Sequence, residues 1–230
     1  MSNDFDDYHR HSYREEVQRA ISFSGQDVNF FTEVKAQLLG ELAARYLGDP
    51  AGLSVLDVGC GVGLTDSALE GRFASLDGVD VSEGAVSEAS AANPWVRYHS
   101  YDGLELPFED DRFDLAFAIC VLHHVEPLDR PAFAREMLRV VRPGGIVAVI
   151  EHNPLNPLTR AAAGRCEFDR GVTLLHRGEV RSLFDATGLT QVGSPYILFF
   201  PWRPTVFRRI ERALGWVPFG AQFMAAGRKV

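Results

Sequence analysis

Residues 55–63 read Val-Leu-Asp-Val-Gly-Cys-Gly-Val-Gly, and they carry the strongest indication of fold class in this chain. An apolar run ends in an acidic residue, and glycines then alternate at Gly59, Gly61 and Gly63 before a helical pattern begins. Glycine has no side chain, so the backbone can turn sharply there and approach a ligand closely. A buried strand, a glycine turn and a helix in this order are typical of nucleotide-binding α/β folds. We therefore expect a ligand-binding loop where the first strand ends.

The spacing of the glycines separates two classes of ligand. Loops that bind a pyrophosphate usually read GxGxxG, whereas this loop reads GxGxG and has Leu64 where that pattern needs its last glycine. Asp57, at the end of the apolar run, also suits a cationic ligand better than a pyrophosphate. S-adenosylmethionine fits, because it carries an ammonium and a sulfonium and has no phosphate. A nicotinamide cofactor, or a glycine turn without a ligand, remains as an alternative.

Outward from this loop, short apolar runs alternate with helical patterns. Strands are predicted at 54–58, 76–80, 96–98, 113–120 and 145–150, and helices at 13–21, 28–47, 64–69, 83–91, 131–141 and 177–187. Near-continuous apolar strands between helices indicate a parallel sheet that is covered on both faces. Two late β-prone segments, 189–199 and 221–227, are expected to close the sheet as an antiparallel pair.

Composition argues against several classes of protein. The net charge of −8 gives no electrostatic case for nucleic-acid binding, although residues 151–230 hold 11 Lys and Arg against 6 Asp and Glu. Three scattered cysteines without a CxxC pair, and no histidine at zinc-ligand spacing, predict neither disulfides nor a metal site. The polar first residues do not read as a secretory signal, and no apolar run reaches the ~18 residues needed to span a bilayer. We expect a cytoplasmic protein without an integral membrane span; the oligomeric state stays open.

The two ends of the chain are predicted to serve recognition. Residues 1–48 are expected to form a helical lid, with coverage of the core as the alternative. Residues 49–230 then form the main domain, which includes an insertion at 199–219. That insertion holds four arginines among large apolar residues: Arg203, Arg208, Arg209 and Arg212. It suits peripheral contact with a membrane, a lipid-linked acceptor or an anionic substrate; a helix that covers the sheet edge or a dimer contact is the alternative.

Two more acidic residues follow predicted strands. Asp80 closes the second strand, nineteen residues after Gly61, where an acidic side chain can accept hydrogen bonds from ribose hydroxyls. It can also cap the next helix. Asp102 and Gly103 follow the third strand, where they can pair with adenine or form an ordinary Asp-Gly turn.

Four blocks of sequence together resemble one family. Residues 56–63 resemble the first motif of the class I S-adenosylmethionine-dependent methyltransferases, and 106–114, 121–125 and 138–145 resemble later blocks of their small-molecule, type 11/12-like branch. In the family's order the blocks cover about residues 50–152, and they are specific as a set. Both ends of the chain fall outside the resemblance.

This resemblance implies a Rossmann-like α/β fold with a seven-stranded, mostly parallel sheet, helices on both faces and an antiparallel last strand. It implies S-adenosylmethionine as cofactor and S-adenosylhomocysteine as product. Asp57 and Gly59 would lie near the methionine part, Asp80 near the ribose and Asp102 near adenine. The predicted cofactor-binding residues are Asp57, Gly59, Cys60, Gly61, Gly63, Asp80, Val81, Asp102, Gly103, Ile119 and Cys120, the last two beneath the methionine end.

Methyl transfer from a sulfonium depends mainly on positioning and on exclusion of water. A hydroxyl acceptor also needs a base, because its oxygen must lose a proton. His123 and His124 follow the fourth strand and His152 follows the fifth, so these three are the predicted catalytic residues. As the alternative, His123 and His124 begin a helix or pack behind the loop. Glu151 is expected to pair with His152 or to be a solvated turn residue.

We therefore expect a methyltransferase that acts on a small molecule and not on nucleic acid. O-methylation of a secondary metabolite, a sugar or a lipid-linked acceptor is favoured over N- or C-methylation. No Asp/Asn-Pro-Pro-aromatic run follows the fourth strand and no Pro-Cys pair occurs, which argues against methylation of nucleic-acid bases. An S-adenosylmethionine-binding protein without transfer activity and a nicotinamide-dependent oxidoreductase remain as alternatives.

Overall fold

The computed structural model describes residues 13–169, 171–200 and 205–230, without the side chains of residues 23 and 205–209. Its helices are α1 Tyr13–Ile21, α2 Val28–Tyr46, α3 Leu64–Ser67, α4 Glu83–Ala92, α5 Arg130–Val140, α6 Pro157–Ala163, α7 Arg177–Thr187 and α8 Thr205–Leu214. Its strands are β1 Ser54–Val58, β2 Ser75–Asp80, β3 Arg97–Ser100, β4 Phe113–Ile119, β5 Val141–His152, β6 Thr190–Gly193, β7 Tyr196–Ile197 and β8 Gln222–Arg228. Short 3₁₀ turns cover Ser22–Ser24, Pro50–Gly52 and Leu122–His124.

The strands form one sheet in the order β3-β2-β1-β4-β5-β8-β6, with β7 also paired to β8. The neighbours among β1 to β5 pair in parallel, whereas β8 runs antiparallel to β5, β6 and β7. The predicted Rossmann-like α/β fold, with a mostly parallel sheet and an antiparallel last strand, is confirmed.

The sheet has eight strands in the described residues, where the resemblance implies seven. The additional strand arises because the predicted segment 189–199 is divided. Gly193 lies opposite Ala226 and Tyr196 opposite Phe223, so β6 and β7 follow one register along β8. Pro195 lies between them and has no N–H to donate to the ladder. The two short strands are therefore one strand interrupted at a proline.

Both faces of the sheet are covered, because successive residues of its central strands point to opposite sides. In β4, Leu115 and Phe117 pack in the same cluster as Leu39 of α2. Ala116 and Ala118 of the same strand belong to the other cluster, which includes buried residues of α5 and α7. Helix α2 therefore packs on the sheet and does not form a lid. Of the residues 1–48 that were predicted to form a lid, α1 is the described helix that can still do so.

The carboxyl ends of the parallel strands meet at one edge of the sheet. Val58 of β1 lies opposite Val79 of β2, and Ile119 of β4 lies opposite Ile150 of β5. In open α/β sheets ligands bind beyond this edge. The fold thus brings together the glycine loop, the end of β2 and the residues that follow β4 and β5.

Helix α1 lies close to the connection between α6 and α7. The rings of Tyr13 and Phe168 have centroids 4.8 Å apart. Gln18 of α1 forms hydrogen bonds to the start of α2. Its Nε2 donates to the carbonyl of Gln26, and its Oε1 accepts from the N–H of Val28. The part of the predicted lid in residues 1–12 lies outside the described residues.

Helix α8 lies between β7 and β8, within the predicted insertion. Glu211 Oε1 accepts from the N–H of Phe199 at 2.8 Å, and Arg212 donates to Glu41 of α2 at 2.7 Å. Residues 201–204, which include Arg203, lie outside the described residues, as do the side chains of residues 205–209. None of the described helices has both the length and the apolarity to cross a membrane.

Candidate active site

The backbone N–H groups of the glycine loop after β1 donate hydrogen bonds to β2. The backbone φ is +79° at Gly59 and +53° at Gly61, values that residues with a side chain rarely adopt. The N–H groups of Gly59 and Cys60 donate to the carbonyl of Val79 at 2.8 and 3.0 Å. The N–H of Gly61 donates to Asp80 Oδ2 at 2.9 Å, so the loop and the end of β2 hold each other in place.

The two ends of the loop are tightly packed, and its middle is open. A Cβ on Gly59 would lie 2.4 Å from Val121 Cγ2, and one on Gly63 would lie 2.5 Å from Asn93 Nδ2. A Cβ on Gly61 would meet nothing within 4 Å. Room for a ligand against the loop backbone is therefore at Gly61.

We expect Gly59→Ala to lower the free energy of unfolding by about 2–4 kcal/mol. The left-handed backbone costs ~1–2 kcal/mol with a side chain, and moving the crowded Val121 adds about 1–2 kcal/mol. Chemical denaturation measures the loss. Gly25→Ala is the matched control, because Gly25 has φ +70° and nothing within 4 Å of the added Cβ. Equal losses in the two variants would contradict the tight packing at Gly59.

Asp57 and Asp66 form a buried carboxyl pair behind the loop. They are 3% and 0% exposed, and within the described residues neither Asp57 Oδ1 nor Asp66 Oδ1 meets a hydrogen-bond donor. Burial, and the nearby Asp66 carboxyl, raise the pKa of Asp57 well above its usual range. Burial raises the pKa of Asp66 to about 6, against the hydrogen bond that Tyr98 donates to it at 2.6 Å. Two acceptors side by side are stable when they share a proton.

The end of β2 and the turn after β3 hold the predicted ribose and adenine residues. Asp80 Oδ1 accepts from the N–H of Ser82 at 2.9 Å, so both carboxylate oxygens are oriented by backbone donors. Asp102 Oδ1 accepts from the N–H groups of Leu104 and Glu105 in an Asp-Gly turn, and these bonds lower the pKa of Asp102. The ribose and adenine roles of the two aspartates stay predictions.

Val81 and Gly103 form an apolar surface at the same place. Val81 is 52% exposed, and a Cβ on Gly103 would lie 3.2 Å from Val81 Cγ1. Gly103 has φ +83°, a conformation that favours glycine. An exposed apolar side chain beside bare backbone suits a flat heterocycle.

The residues after β4 turn sharply toward β5. Cys120 has φ +57°, and its N–H donates to the carbonyl of Ile150 at 2.8 Å. Its Sγ accepts a hydrogen bond from Gln222 Nε2 at 3.2 Å. Burial opposes ionisation of this thiol, but the adjacent His152 outweighs burial and lowers the pKa of Cys120. Ile119, one residue earlier, is half-buried at the end of the strand.

Three histidines converge on one carboxylate, and we call His123, His124, His152 and Asp169 the histidine cluster. Asp169 Oδ1 lies 3.3 Å from His123 Nε2 and 3.4 Å from His124 Nε2, and Asp169 Oδ2 lies 3.5 Å from His152 Nε2. The ring centroids of His123 and His124 are 4.2 Å apart, and those of His123 and His152 are 5.5 Å apart. The structure thus brings all three predicted catalytic residues together.

Glu151 pairs with His123, and the expectation that it pairs with His152 is wrong. Glu151 is fully buried, and its Oε2 lies 2.6 Å from His123 Nδ1, while its Oε1 accepts from the N–H of Leu122 at 2.8 Å. Glu151 and His152 are neighbours in a strand, so their side chains point to opposite faces of the sheet. His152 instead has Gln222 Nε2 3.3 Å from its Nδ1.

The carboxylates of the cluster and of Glu151 favour charged imidazoles. Burial lowers the pKa of His123, but Glu151 and Asp169 outweigh burial and raise it to about 9. Burial likewise opposes a charge on His152, while Cys120 and Asp169 raise its pKa well above the usual range. Burial of Asp169 is outweighed by its histidine partners, which hold its pKa far below the usual range.

Sequence reasoning missed Asp66, Asp169 and Gln222. Asp66 had no distinctive signal, because acidic residues are favoured in the first turn of a helix. Asp169 lies in an irregular connection without a periodic pattern, and Gln222 begins β8 with no motif around it. No local feature of the sequence pointed to either of these two.

With this geometry established, comparison with known proteins identifies the family. Residues 56–149 match the profile of a methyltransferase domain. An uncharacterised methyltransferase of Synechocystis sp. is 30% identical over 157 residues, which are 66% of this chain and 74% of that protein. The chain belongs to the S-adenosylmethionine-dependent methyltransferases. S-adenosylmethionine is therefore the methyl donor that this methyltransferase's family implies.

One further relative and one solved structure resemble this methyltransferase. The 2-methyl-6-phytyl-1,4-hydroquinone methyltransferase of Synechocystis sp. is 29% identical over 202 residues, which are 79% of this chain and only 62% of that relative's length. A solved S-adenosylmethionine-dependent methyltransferase from Mesorhizobium loti has a TM-score of 0.58 and 24% identity, over 82% of this chain and 96% of that chain. The structural likeness shows a shared fold.

The glycine loop of the methyltransferase fits a cationic donor without phosphate. The backbone is bare and open at Gly61, where a ligand can approach. Asp57 Oδ1 is a buried oxygen that no donor in the described part of the chain satisfies, so an ammonium nearby would favour the ionised carboxylate. These two features agree with the donor that the family uses.

Proposed function

We propose that this methyltransferase transfers a methyl group from S-adenosylmethionine to a hydroxyl oxygen of a small molecule. The observation that carries the proposal is the convergence of His123, His124 and His152 on Asp169 beyond the ends of β4 and β5. A hydroxyl acceptor must lose a proton, and imidazole is the side chain best suited to take it near neutral pH. An amine acceptor needs no base before the transfer, because the lone pair of a neutral amine is already the nucleophile.

The proposed donor site lies along the carboxyl ends of β1, β2 and β4. Asp57 and the loop at Gly61 are proposed to hold the ammonium and methionine part, and Asp80 the ribose. Val81 and the turn at Asp102 are proposed to hold adenine. The donor supplies a methyl group on a sulfonium, which is already activated for displacement. The remaining task of the protein is to position the acceptor and to take its proton.

His152 is the proposed base. Its side chain is 23% exposed, whereas the side chain of His123 is fully buried and has a carboxylate at each ring nitrogen. His152 is therefore the more accessible of the two rings, and we propose that the acceptor hydroxyl displaces Gln222 Nε2 from His152 Nδ1 and gives up its proton there. Asp169 is proposed as a positioning residue, because its Oδ2 lies 3.5 Å from His152 Nε2 and orients the ring. The positive charge of a bound donor opposes the raised pKa of His152 and so favours the neutral imidazole.

The acceptor is proposed to be an aromatic or polar hydroxyl compound with a hydrocarbon tail. The relative named above acts on a hydroquinone that carries a phytyl chain. In this chain Leu158, Trp216 and Phe219 are 60%, 77% and 66% exposed, and Asn156 beside Leu158 donates to the carbonyl of Phe219 at 2.7 Å. These exposed apolar side chains suit a lipid-linked acceptor. We propose that the insertion at 199–219 recognises the tail, that α1 acts as the lid, and that the reaction takes place in the cytoplasm.

Labelled-methyl transfer with His152→Gln tests the proposal. The acceptors are prenylated hydroquinones and catechols, each compared with an aniline of the same skeleton. We expect label on the hydroxyl compounds, and a fall in kcat of about 100-fold in the variant because its amide cannot take the proton. The affinity for S-adenosylmethionine should stay unchanged.

His99→Gln is the matched control for this variant. His99 is exposed on β3, which β2 and β1 separate from β4, so its replacement should leave kcat unchanged. Label on a ring carbon or an amine would overturn O-methylation in favour of C- or N-methylation. Donor binding without any labelled product would favour a protein that binds S-adenosylmethionine without transfer.

A further inference from the structure

The distances within the histidine cluster do not match those of strong hydrogen bonds. Charge-assisted N–H···O bonds are about 2.7–2.9 Å long, whereas His123 Nε2 and His124 Nε2 lie 3.3 and 3.4 Å from Asp169 Oδ1. The three atoms lie within 4.8 Å of one another. Two ligand atoms of a tetrahedral ion with bonds of about 2.0–2.1 Å are ~3.3 Å apart. The two distances from Asp169 Oδ1 therefore match the spacing of a metal-ligand shell.

We propose that His123 Nε2, His124 Nε2 and Asp169 Oδ1 bind one divalent transition-metal ion, with Zn²⁺ as the best match. Imidazole nitrogen suits Zn²⁺ and other late first-row ions, while Mg²⁺ and Ca²⁺ prefer a shell of oxygens. Three protein ligands with one open position are the usual arrangement of a catalytic zinc site.

A buried carboxylate already orients one of the ligands. Glu151 Oε2 lies 2.6 Å from His123 Nδ1, so the Nδ1–H of a neutral ring points at Glu151 and the lone pair of Nε2 points at the cluster. Metal-binding histidines almost always donate their other N–H in this way, commonly to a carboxylate. The 0% exposed side chain of His123 keeps the ring in this orientation.

The charges of the cluster also balance with an ion bound. Asp169 and Glu151 carry two negative charges, which a divalent cation neutralises when the histidines are neutral. Asp169 Oδ2 remains beside His152 Nε2 at 3.5 Å, so one carboxylate serves the ion and the proposed base together.

The site is reachable from solvent on the side of His124. The side chains of His124 and Asp169 are 36% and 12% exposed. If the proposed function holds, the open position of the ion would receive the hydroxyl oxygen of the acceptor. The spacing of residues predicted no metal, because two ligands follow β4 and the third lies after α6, in a part of the chain without a motif.

Zinc binding to the full chain, measured by calorimetry after removal of metal with a chelator, tests the proposal. We expect one Zn²⁺ per chain, and a loss of affinity of at least about 100-fold in His124→Ala and in Asp169→Ala. Co²⁺ in place of Zn²⁺ should give the intense visible absorption of a tetrahedral site. His99→Ala, on the edge strand β3 that β2 and β1 separate from β4, should bind Zn²⁺ like the unchanged chain.

Two further variants separate this site from adventitious binding. Cys120 and Cys166 lie close enough to influence the cluster, so Cys120→Ser and Cys166→Ser show whether thiols hold the ion. Binding that disappears in either serine variant, or persists in Asp169→Ala, would overturn the proposal. Because His124 is partly exposed, His124→Ala should keep the fold, and circular dichroism checks this. The assay needs neither donor nor acceptor, so its result is independent of methyl transfer.

Discussion

Glu151→Gln is expected to lower the free energy of unfolding by about 3–5 kcal/mol, as is usual when a buried ion pair loses one partner. Glu151 Oε1 accepts from the N–H of Leu122 and Oε2 pairs with His123 Nδ1. Glutamine keeps the size of the side chain but has one acceptor oxygen, so its N–H₂ must face one of these two donors. One buried donor then loses its partner, and His123 loses the carboxylate that balances its charge.

Urea denaturation near neutral pH measures this loss. Glu88→Gln makes the same chemical change at an exposed position of α4, and it should alter stability by no more than about 0.5 kcal/mol. If Glu151→Gln is as mild as this control, the short contact between Glu151 and His123 does not hold the strand end and the turn together.

Asp66→Asn is expected to remove a pH dependence of stability worth up to about 3 kcal/mol. The pKa of Asp66 is raised from 3.8 to about 6 by burial, and a rise of this size corresponds to about 3 kcal/mol. The pKa of Asp57 is raised as well, by its burial and by Asp66. The amide of the variant carries no charge, and its oxygen can still accept the hydrogen bond of Tyr98.

The direction of the effect follows from the raised pKa values. The folded chain holds the protons of the pair more tightly than the unfolded chain does. The stability that the pair contributes is therefore complete below about pH 4. The contribution of Asp66 is lost as the pH rises through about 6, and the contribution of Asp57 is lost as the pH rises through its own raised pKa. His123 titrates in both proteins, so its contribution cancels when the two are compared.

Unfolding free energies of both proteins between about pH 4 and 8 test this expectation. The unchanged chain should lose more stability over this range than the variant. Its affinity for S-adenosylmethionine should rise about tenfold over the same range, since a cation favours ionised Asp57. In the variant this rise should begin at a lower pH, because the Asp66 carboxyl no longer raises the pKa of Asp57. Asp129→Asn, at an exposed position, is the control. Parallel stability curves would show that the pair does not share a proton.

Much of the fold was predictable because its signals are local. The helix over Tyr13–Ile21, the strand over Ser54–Val58 and the helix over Arg177–Thr187 have the bounds that their patterns predict. Periodicity reports which face of an element is buried, and the glycine loop reports a backbone that needs left-handed φ. Pro195 shows the limit of such signals: the β-prone pattern around it was correct, but the interruption of the strand pairing was not foreseen.

The candidate site was predictable only where a residue ends a strand. His123, His124 and His152 were identified because the carboxyl ends of β4 and β5 meet at one edge. The partner of Glu151 could not be predicted, because the histidine next to it in sequence, His152, lies on the opposite face of the strand. Asp169 could not be predicted either. It lies in a connection without a periodic pattern, and the path of such a connection depends on what it packs against.

The α/β class, the order of strands and helices, the glycine loop and the histidines near it could all be predicted from the amino-acid sequence. These follow from residue preferences and from spacings of a few residues. The three-dimensional structure was needed to show that three histidines share Asp169, that Glu151 pairs with His123, and that Asp57 lies against Asp66. Each of these contacts joins segments that are distant in the chain or on opposite faces of a strand, and packing alone selects which polar groups meet inside the protein.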